Sequence, residues 1–150
     1  MHFKQTPRPR KHALGLQQDE PFRFANPIGE NLAQVFGEEW VTNVLIPDMN
    51  RTRCSQNYLY RLTTLGCVTG LAETLPPKTT EDVLLPMVLA MSEDPVPNVR
   101  FNVSKTLAKV IGRIEAGIVA SKVKPVLQTM CDDQDPDVKY YSHIALQQCA

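Results

Sequence analysis

The chain has 150 residues and little of what marks secreted or membrane proteins. It has no run of about 18 apolar residues, so we expect no membrane span. The four cysteines form no C-x-x-C pair and no regular framework, which favours free thiols in a reducing compartment. The N-terminus lacks the apolar core of a secretory signal. These absences predict a cytoplasmic protein, with the nucleus as an additional location.

An excess of charge and the common catalytic motifs are also missing. The 16 basic and 16 acidic residues cancel, which argues against a nucleic-acid or anionic-membrane binder. There is no G-x-S-x-G, no H-E-x-x-H and no glycine-rich loop to cradle a phosphate. His143 has no Cys or His at the spacing of a metal ligand. We therefore expect no enzyme, no catalytic residue, no cofactor and no metal site.

Glycine is scarce, at seven residues, which favours helices over a fold with many tight turns. What the chain does contain is a repeat with a period of 39 residues, set by Pro47, Pro86 and Pro125. A basic residue follows each proline at a constant distance, giving Arg61, Arg100 and Lys139. A period of this size is typical of a helical solenoid.

Each repeat predicts a pair of helices joined by a loop. Val99, Val103 and Leu107 fall on one face of a helix, for example, and Gly112 ends it. A proline inside the first helix of each pair removes a hydrogen bond and crowds the preceding turn, so we expect a recurrent kink there. We predict an all-α superhelix of about three pairs, at residues 31–77, 78–113 and 114–150. The inward stripe expected for the first helix is Val35, Phe36, Val41, Val44, Leu45 and Met49.

Residues 1–30 carry prolines and basic residues without helical or alternating periodicity. We predict that they form a disordered leader. The basic cluster at residues 8–12 is either a solvated tail or a weak nuclear-localisation or anion-binding patch.

Asp133, Asp135 and Asp137 alternate as the ligands of a calcium loop do. Counted from Asp133, however, the sixth residue is Val138 instead of glycine and the twelfth is Ile144 instead of glutamate. Acidic residues before a helix cap its N-terminus and interact well with its dipole. We therefore interpret these residues as structural or partner-binding, and not as metal ligands.

The repeat pattern resembles a known class. Helix pairs with a proline in the first helix, an acidic turn, and Val-Arg or Val-Lys opening the second helix resemble HEAT repeats. The strings at residues 94–96, 98–103, 123–125 and 133–140 look like the last repeats of the scaffold (A, 65-kDa regulatory) subunits of protein phosphatase 2A. Trp40, Ile46-Pro47 and residues 58–65 look like the repeat before those. The resemblance covers residues 31–150.

In that family, the C-terminal repeats hold the phosphatase catalytic subunit through the loops inside each repeat. The resemblance implies that the loops at about 51–58, 92–98 and 131–137 do the same here. It implies that the partner-binding residues are Tyr58, Arg61, Val96, Asn98, Arg100, Asp135 and Asp137. The residues expected to build the repeat are Pro47, Pro86, Pro125, Asp94, Asp133 and Lys139. The first loop departs from the acidic Asp-Pro turn, and we expect the repeats that bind the regulatory subunits to be absent.

The function implied is a non-catalytic scaffold fragment that docks the catalytic subunit of protein phosphatase 2A. Two alternatives remain open at this point. One is a generic helical-repeat adaptor that binds another protein or an extended peptide. The other is a truncated product without stable activity.

Overall fold

The computed structural model describes residues 20–149, with the backbone alone at residues 20–24 and 26. This part of the chain contains helices and no strand, which confirms the predicted all-α solenoid. None of the helices between residues 20 and 149 combines the length and apolarity needed to cross a bilayer.

The helices form consecutive antiparallel pairs after an N-terminal helix, α1 (Glu20–Trp40). The first pair consists of a π-helical turn, Val41–Leu45, then α2 (Ile46–Thr52) and α3 (Tyr58–Thr74). The second pair consists of α4 (Pro77–Thr79), the π-helical turn Thr80–Leu84, α5 (Leu85–Leu89) and α6 (Pro97–Val110), which ends in the 3-10 turn Ile111–Arg113. The third pair consists of α7 (Ala116–Ile118), the π-helical turn Val119–Val123, α8 (Lys124–Met130) and α9 (Pro136–Gln147).

The repeated prolines each follow a π-helical turn in the first helix of a pair. In all three turns, the amide of the residue before the proline donates to a carbonyl five residues back, as from Ile46 to Val41. Proline has no N–H and its ring crowds the preceding turn, so the helix widens locally to accommodate it. Pro47, Pro86 and Pro125 are all exposed, which leaves the missing donor on the solvent side. The backbone geometry therefore repeats with the same period as the sequence.

Neighbouring pairs share one continuous apolar core. Val99, Val103 and Leu107 of α6 are fully buried, as the helical spacing predicts. The largest fully buried side chains come from all three pairs: Leu62, Leu65, Leu71, Leu84, Leu85, Leu107 and Leu127. Each pair thus buries its apolar face only by stacking on its neighbours, as expected for a solenoid.

The predicted disordered leader extends too far along the chain, because residues 20–30 belong to α1. Residues 1–19, including the basic cluster at 8–12, lie outside the described residues. Small buried residues at helical spacing, Ala25, Gly29 and Ala33, explain the helix. They let α1 approach α3 so closely that a Cβ on Gly29 would lie 2.8 Å from the carbonyl oxygen of Cys67. Sequence periodicity missed this face because it is made of small residues.

The inward stripe predicted for the first helix is wrong in part. Val41 and Met49 are buried, but three other members are largely exposed, namely Val35 (74%), Phe36 (54%) and Val44 (50%). The cause is Gly37, whose φ of 83° breaks the helical course inside the Glu20–Trp40 segment. Residues on its two sides therefore belong to helices of different direction, and one helical phase does not describe both.

Candidate docking surface

The loops that join the two helices of each pair lie next to one another, because an arginine of the first pair and one of the second each reach the following loop. Arg61 of α3 donates from Nε to Oδ2 of Asp94 at 2.7 Å and from Nη2 to Oδ1 at 3.0 Å. Its Nη1 also donates to the carbonyl oxygen of Ser55 at 2.7 Å, in its own loop. One guanidinium thus fixes two consecutive loops.

Arg100 repeats this geometry one pair later. Its Nε and Nη2 donate to Asp133 at 2.8 and 3.0 Å, and its Nη1 donates to the carbonyl oxygen of Asp94 at 2.8 Å. Two parallel charge-assisted bonds match the planar fork of arginine to a carboxylate. We call Arg61, Asp94, Arg100 and Asp133 the Arg–Asp ladder.

The ladder is largely shielded from solvent. The Arg61 and Asp94 side chains are 11% and 7% exposed. Burial opposes the charge on Asp133, but the hydrogen bonds from Arg100 and the Asp135 amide, with the charges of Arg100 and Lys139, prevail and lower the pKa of Asp133. Lys139, which occupies the repeat position of Arg61 and Arg100, therefore contributes to the same electrostatic network.

A groove of about 380 Å³ lies beside the ladder and draws on all three pairs. It is lined by Tyr58, Val96, Pro97, Asn98, Phe101, Asp135 and Asp137. The structure thus brings together Tyr58, Val96, Asn98, Asp135 and Asp137 of the partner-binding residues implied by the resemblance. It places Arg61 and Arg100 in the ladder instead, where most of their N–H groups donate hydrogen bonds within the stack of helix pairs. Sequence reasoning missed Pro97 and Phe101, although Phe101 stands in one of the strings quoted for the resemblance.

The residue that precedes the second helix of each pair differs among the three repeats. Asn57 accepts from the Leu59 amide at 3.1 Å, and Asp135 accepts from the Asp137 amide at 2.9 Å. Val96 stands at the equivalent position before α6 and makes no such side-chain cap. Asn and Asp are among the best residues here and Val among the worst, a difference of about 0.5–2 kcal/mol.

The first loop keeps the turn of the other two but not its charge. Ser55 occupies the repeat position of Asp94 and Asp133. Its hydroxyl accepts from the amide two residues later at 3.2 Å, as the carboxylate of Asp94 does at 2.9 Å. The first loop therefore departs from the acidic pattern, as predicted, by placing a hydroxyl where the other two loops have a carboxylate. The turn itself is the same.

A second cavity, of about 730 Å³, lies at the other end of the helix pairs. It contains none of the predicted site residues, and Arg113 in its wall is paired with Glu73. Among residues 20–149, no group of three His, Cys, Asp or Glu side chains is placed to hold a metal ion. The groove beside the ladder is thus the stronger candidate.

Comparison with known families agrees with this geometry. The HEAT repeat family model matches residues 84–112, which cover α5, the loop after it and α6. The chain thus contains a HEAT repeat at this position. The matched segment contains Asp94, Val96 and Arg100, so it includes the middle two residues of the ladder and part of the groove.

Relatives of the chain are named as regulatory subunits of a phosphatase. It is 32% identical over 128 residues to the regulatory A subunit of protein phosphatase PP2A from Saccharomyces cerevisiae, covering 80% of this chain and 20% of the relative. It is 45% identical over 56 residues to the PP2A 65 kDa regulatory subunit of Drosophila melanogaster, covering 37% and 10%. The A beta isoform of Homo sapiens is 45% identical over 51 residues, covering 34% and 8%.

The chain spans about a fifth of the length of the yeast relative, the longest of these matches. The names of the relatives describe regulatory subunits and not enzymes, in agreement with the predicted non-catalytic role. They also agree with the resemblance noted in the sequence.

Proposed function

We propose that this chain is a non-catalytic scaffold segment that docks the catalytic subunit of protein phosphatase 2A through the loops of its three helix pairs. The observation that carries the proposal is the groove, which collects Tyr58, Val96, Asn98, Asp135 and Asp137 on one surface. The names of the relatives, regulatory subunits of PP2A, support a partner within the phosphatase complex. A cytoplasmic or nuclear location follows from this role and is part of the proposal.

The loops use different residues to hold the fold and to line the groove, which supports a docking role. The Arg–Asp ladder fixes the relative positions of consecutive loops, so the groove exists before a partner arrives. A preformed surface binds with a smaller loss of conformational entropy than a flexible one. A rigid ridge of loops is the surface that solenoid proteins offer to partners.

Binding of the purified catalytic subunit to the immobilised chain tests the proposal. We expect saturable binding, weakened by Val96→Asp combined with Asp137→Lys and unaffected by Val44→Asp on the exposed part of the first helix. Circular dichroism of each variant checks that the fold is retained. No detectable binding of the unmodified chain at tens of micromolar would refute the proposal.

The generic adaptor is the second candidate function, and the acidic, partly apolar groove is the observation that favours it. Affinity capture from cell extract separates the two candidates by whether the phosphatase is the main protein recovered. A truncated product without stable activity predicts a non-cooperative melt, whereas a docking scaffold predicts a cooperative one. Thermal unfolding followed by circular dichroism distinguishes those outcomes.

A further inference from the structure

The first helix, α1, has a second apolar face that the fold leaves open. Its small residues face α3, as the close approach at Gly29 shows. Beside them, larger apolar residues follow one another at the helical spacing i, i+4, i+7 and i+8. These four residues, which we call the α1 stripe, are Ile28, Leu32, Val35 and Phe36. Leu32 is half-buried, and the other three are more than half exposed.

The α1 stripe stands at positions that the fold buries elsewhere. Counted with the 39-residue period, Leu32 corresponds to Leu71 in α3 and to Val110 in α6, which are 0% and 1% exposed. Phe36 corresponds in the same way to Leu75, which is also buried. A contiguous apolar surface that remains open to solvent marks an interaction site. The stripe is therefore a core-type surface for which the described part of the chain supplies no cover.

Charge does not oppose the meeting of two such stripes. By helical spacing, the border of the stripe away from α3 consists of Pro27 and Asn31, which are exposed and uncharged. Glu30 is the one charged residue between Pro27 and Gly37, and the same spacing places it on the opposite face of the helix. A charged partner would find no complementary group at the stripe, whereas a second copy of the chain would meet no like charge. The surface therefore fits its own copy.

The order of the residues along α1 also fits a two-fold axis. In an antiparallel pair of α1 helices centred on Leu32, Ile28 of one copy lies opposite Phe36 of the other, because the two residues are equally far from the centre. Leu32 then lies opposite its own copy. The ring of Phe36 is stacked on Trp40, with the centroids 4.6 Å apart, so its position is fixed before a partner arrives. A contact of this kind uses the same surface twice and closes at two copies.

We infer that two copies of this chain associate through their α1 stripes, as an antiparallel pair of helices with Leu32 on the two-fold axis. The stripe and its border supply a small interface compared with the roughly 800 Å² per partner of a stable complex, so the dimer forms reversibly. None of the stripe residues lines the groove, and the dimer therefore presents two docking grooves. The inference goes beyond the proposed function, since it concerns another surface and another partner.

Sedimentation equilibrium of the full chain, between about 5 and 200 μM, tests the association. We expect a reversible monomer–dimer equilibrium that Leu32→Asp weakens about tenfold or more, because the substitution buries a charge twice at the axis. Tyr60→Asp is the matched control, since Tyr60 is exposed and apolar but lies outside the stripe, and should change the equilibrium by less than about twofold.

Circular dichroism checks that each variant keeps the fold. Val35→Asp, at the most exposed position of the stripe, replaces Leu32→Asp in the same test if the latter does not fold. A monomer over the whole concentration range overturns the inference. So does a dimer that the stripe substitutions leave unchanged, or that Tyr60→Asp weakens to the same extent.

Disulfide cross-linking in air tests the register of the two helices, after Cys54, the exposed cysteine, is replaced by serine. Leu32→Cys is expected to give a covalent dimer, because the axis brings its two copies together. Glu30→Cys, on the opposite face of α1, is the matched control and should remain mostly monomeric. A mixture of Ile28→Cys and Phe36→Cys chains should give more covalent dimer than either chain alone. Equal yields from Leu32→Cys and Glu30→Cys, or from the mixture and its separate components, overturn the inference.

Discussion

The Arg–Asp ladder and the groove are built from the same loops, yet they use their side chains in opposite ways. In the ladder, Arg100 and Asp133 satisfy each other with two hydrogen bonds and are mostly shielded from water. In the groove, Val96 leaves a helix end without its usual cap and shows its side chain to a cavity. The comparison separates residues that hold the loops in place from residues that line the groove.

This separation implies different consequences for mutation. A change in the ladder removes one partner of a shielded charge pair and is expected to destabilise the fold. A change in the groove is expected to leave stability similar or to improve it, while it alters binding. If substitutions in the ladder and in the groove had the same effects on stability and binding, the two surfaces would act as one.

The largest expected effect is that of Arg100→Ala, which removes both side-chain hydrogen bonds to Asp133 and two contacts to the carbonyls of the loop in its own pair. We expect a loss of about 3 kcal/mol in the free energy of unfolding, at the low end for buried pairs because both side chains retain some exposure. Urea unfolding measures it. Arg113→Ala, which breaks a more exposed pair with Glu73, is the matched control and should cost less than about 1 kcal/mol. Equal losses in both variants would contradict the special role of the ladder.

The next effect is a dependence of stability on pH that originates in the ladder. Burial raises the pKa of Asp133, but the hydrogen bonds from Arg100 and the Asp135 amide, with the charges of Arg100 and Lys139, outweigh it and hold the pKa below its ordinary value of 3.8. The ionised form therefore favours folding. This contribution is complete above pH 3.8 and is lost as the pH falls through the folded pKa.

Asp133→Asn should thus be less stable than the unmodified chain at neutral pH, and the difference should shrink as the pH falls below 3.8. Thermal unfolding over a pH series measures the change. Asp132→Asn, next to it in sequence but exposed, is the matched control and should change the stability at neutral pH by less than about 0.5 kcal/mol. A constant difference between Asp133→Asn and the unmodified chain would argue against this linkage.

A gain in stability is expected on the groove side. Val96→Asn places a hydrogen-bond acceptor before α6, as Asn57 does before α3, and should add about 0.5–1 kcal/mol to the free energy of unfolding. Chemical unfolding of the variant gives the value. A loss of stability would mean that packing of Val96 against the core outweighs the cap.

The smallest effect on stability is expected for Asp137→Asn. The substitution removes a favourable interaction with the N-terminus of α9, which contributes about 0.3–1 kcal/mol at an exposed site. Its effect on binding should be the larger of the two, so the pair of measurements sharpens the contrast with Arg100→Ala. A destabilisation as large as that of Arg100→Ala would place Asp137 with the structural residues.

Much of the fold could be predicted from the sequence, because the repeat marks the same structural position three times. The prolines at 47, 86 and 125 identify the first helix of each pair, and Val99, Val103 and Leu107 identify the buried face of a second helix. The helical course of residues 20–30 could not be predicted in the same way. Its packing depends on the small residues Ala25 and Gly29, which carry almost no hydrophobic signal.

The candidate site was predictable in its members but not in its organisation. The resemblance named Val96, Asn98 and Asp137, which the structure places in one groove. The resemblance also assigned Arg61 and Arg100 to partner binding, although both belong to the ladder. The partner of each arginine lies 33 residues further along the chain. A pairing at that distance depends on how the repeats stack, which spacing within one repeat does not reveal.

The ladder also determines the order in which the solenoid opens. The middle pair takes part in both links, since Asp94 accepts from Arg61 and Arg100 donates to Asp133. Opening it breaks both links of the ladder, whereas detaching either outer pair breaks one, and detaching the first pair also separates α3 from α1. In a one-dimensional array with nearest-neighbour coupling, the ends therefore open first. Amide hydrogens in the middle of α6 should exchange more slowly with solvent than those of α9, so Val96 of the groove is anchored to a part of the chain that unfolds late.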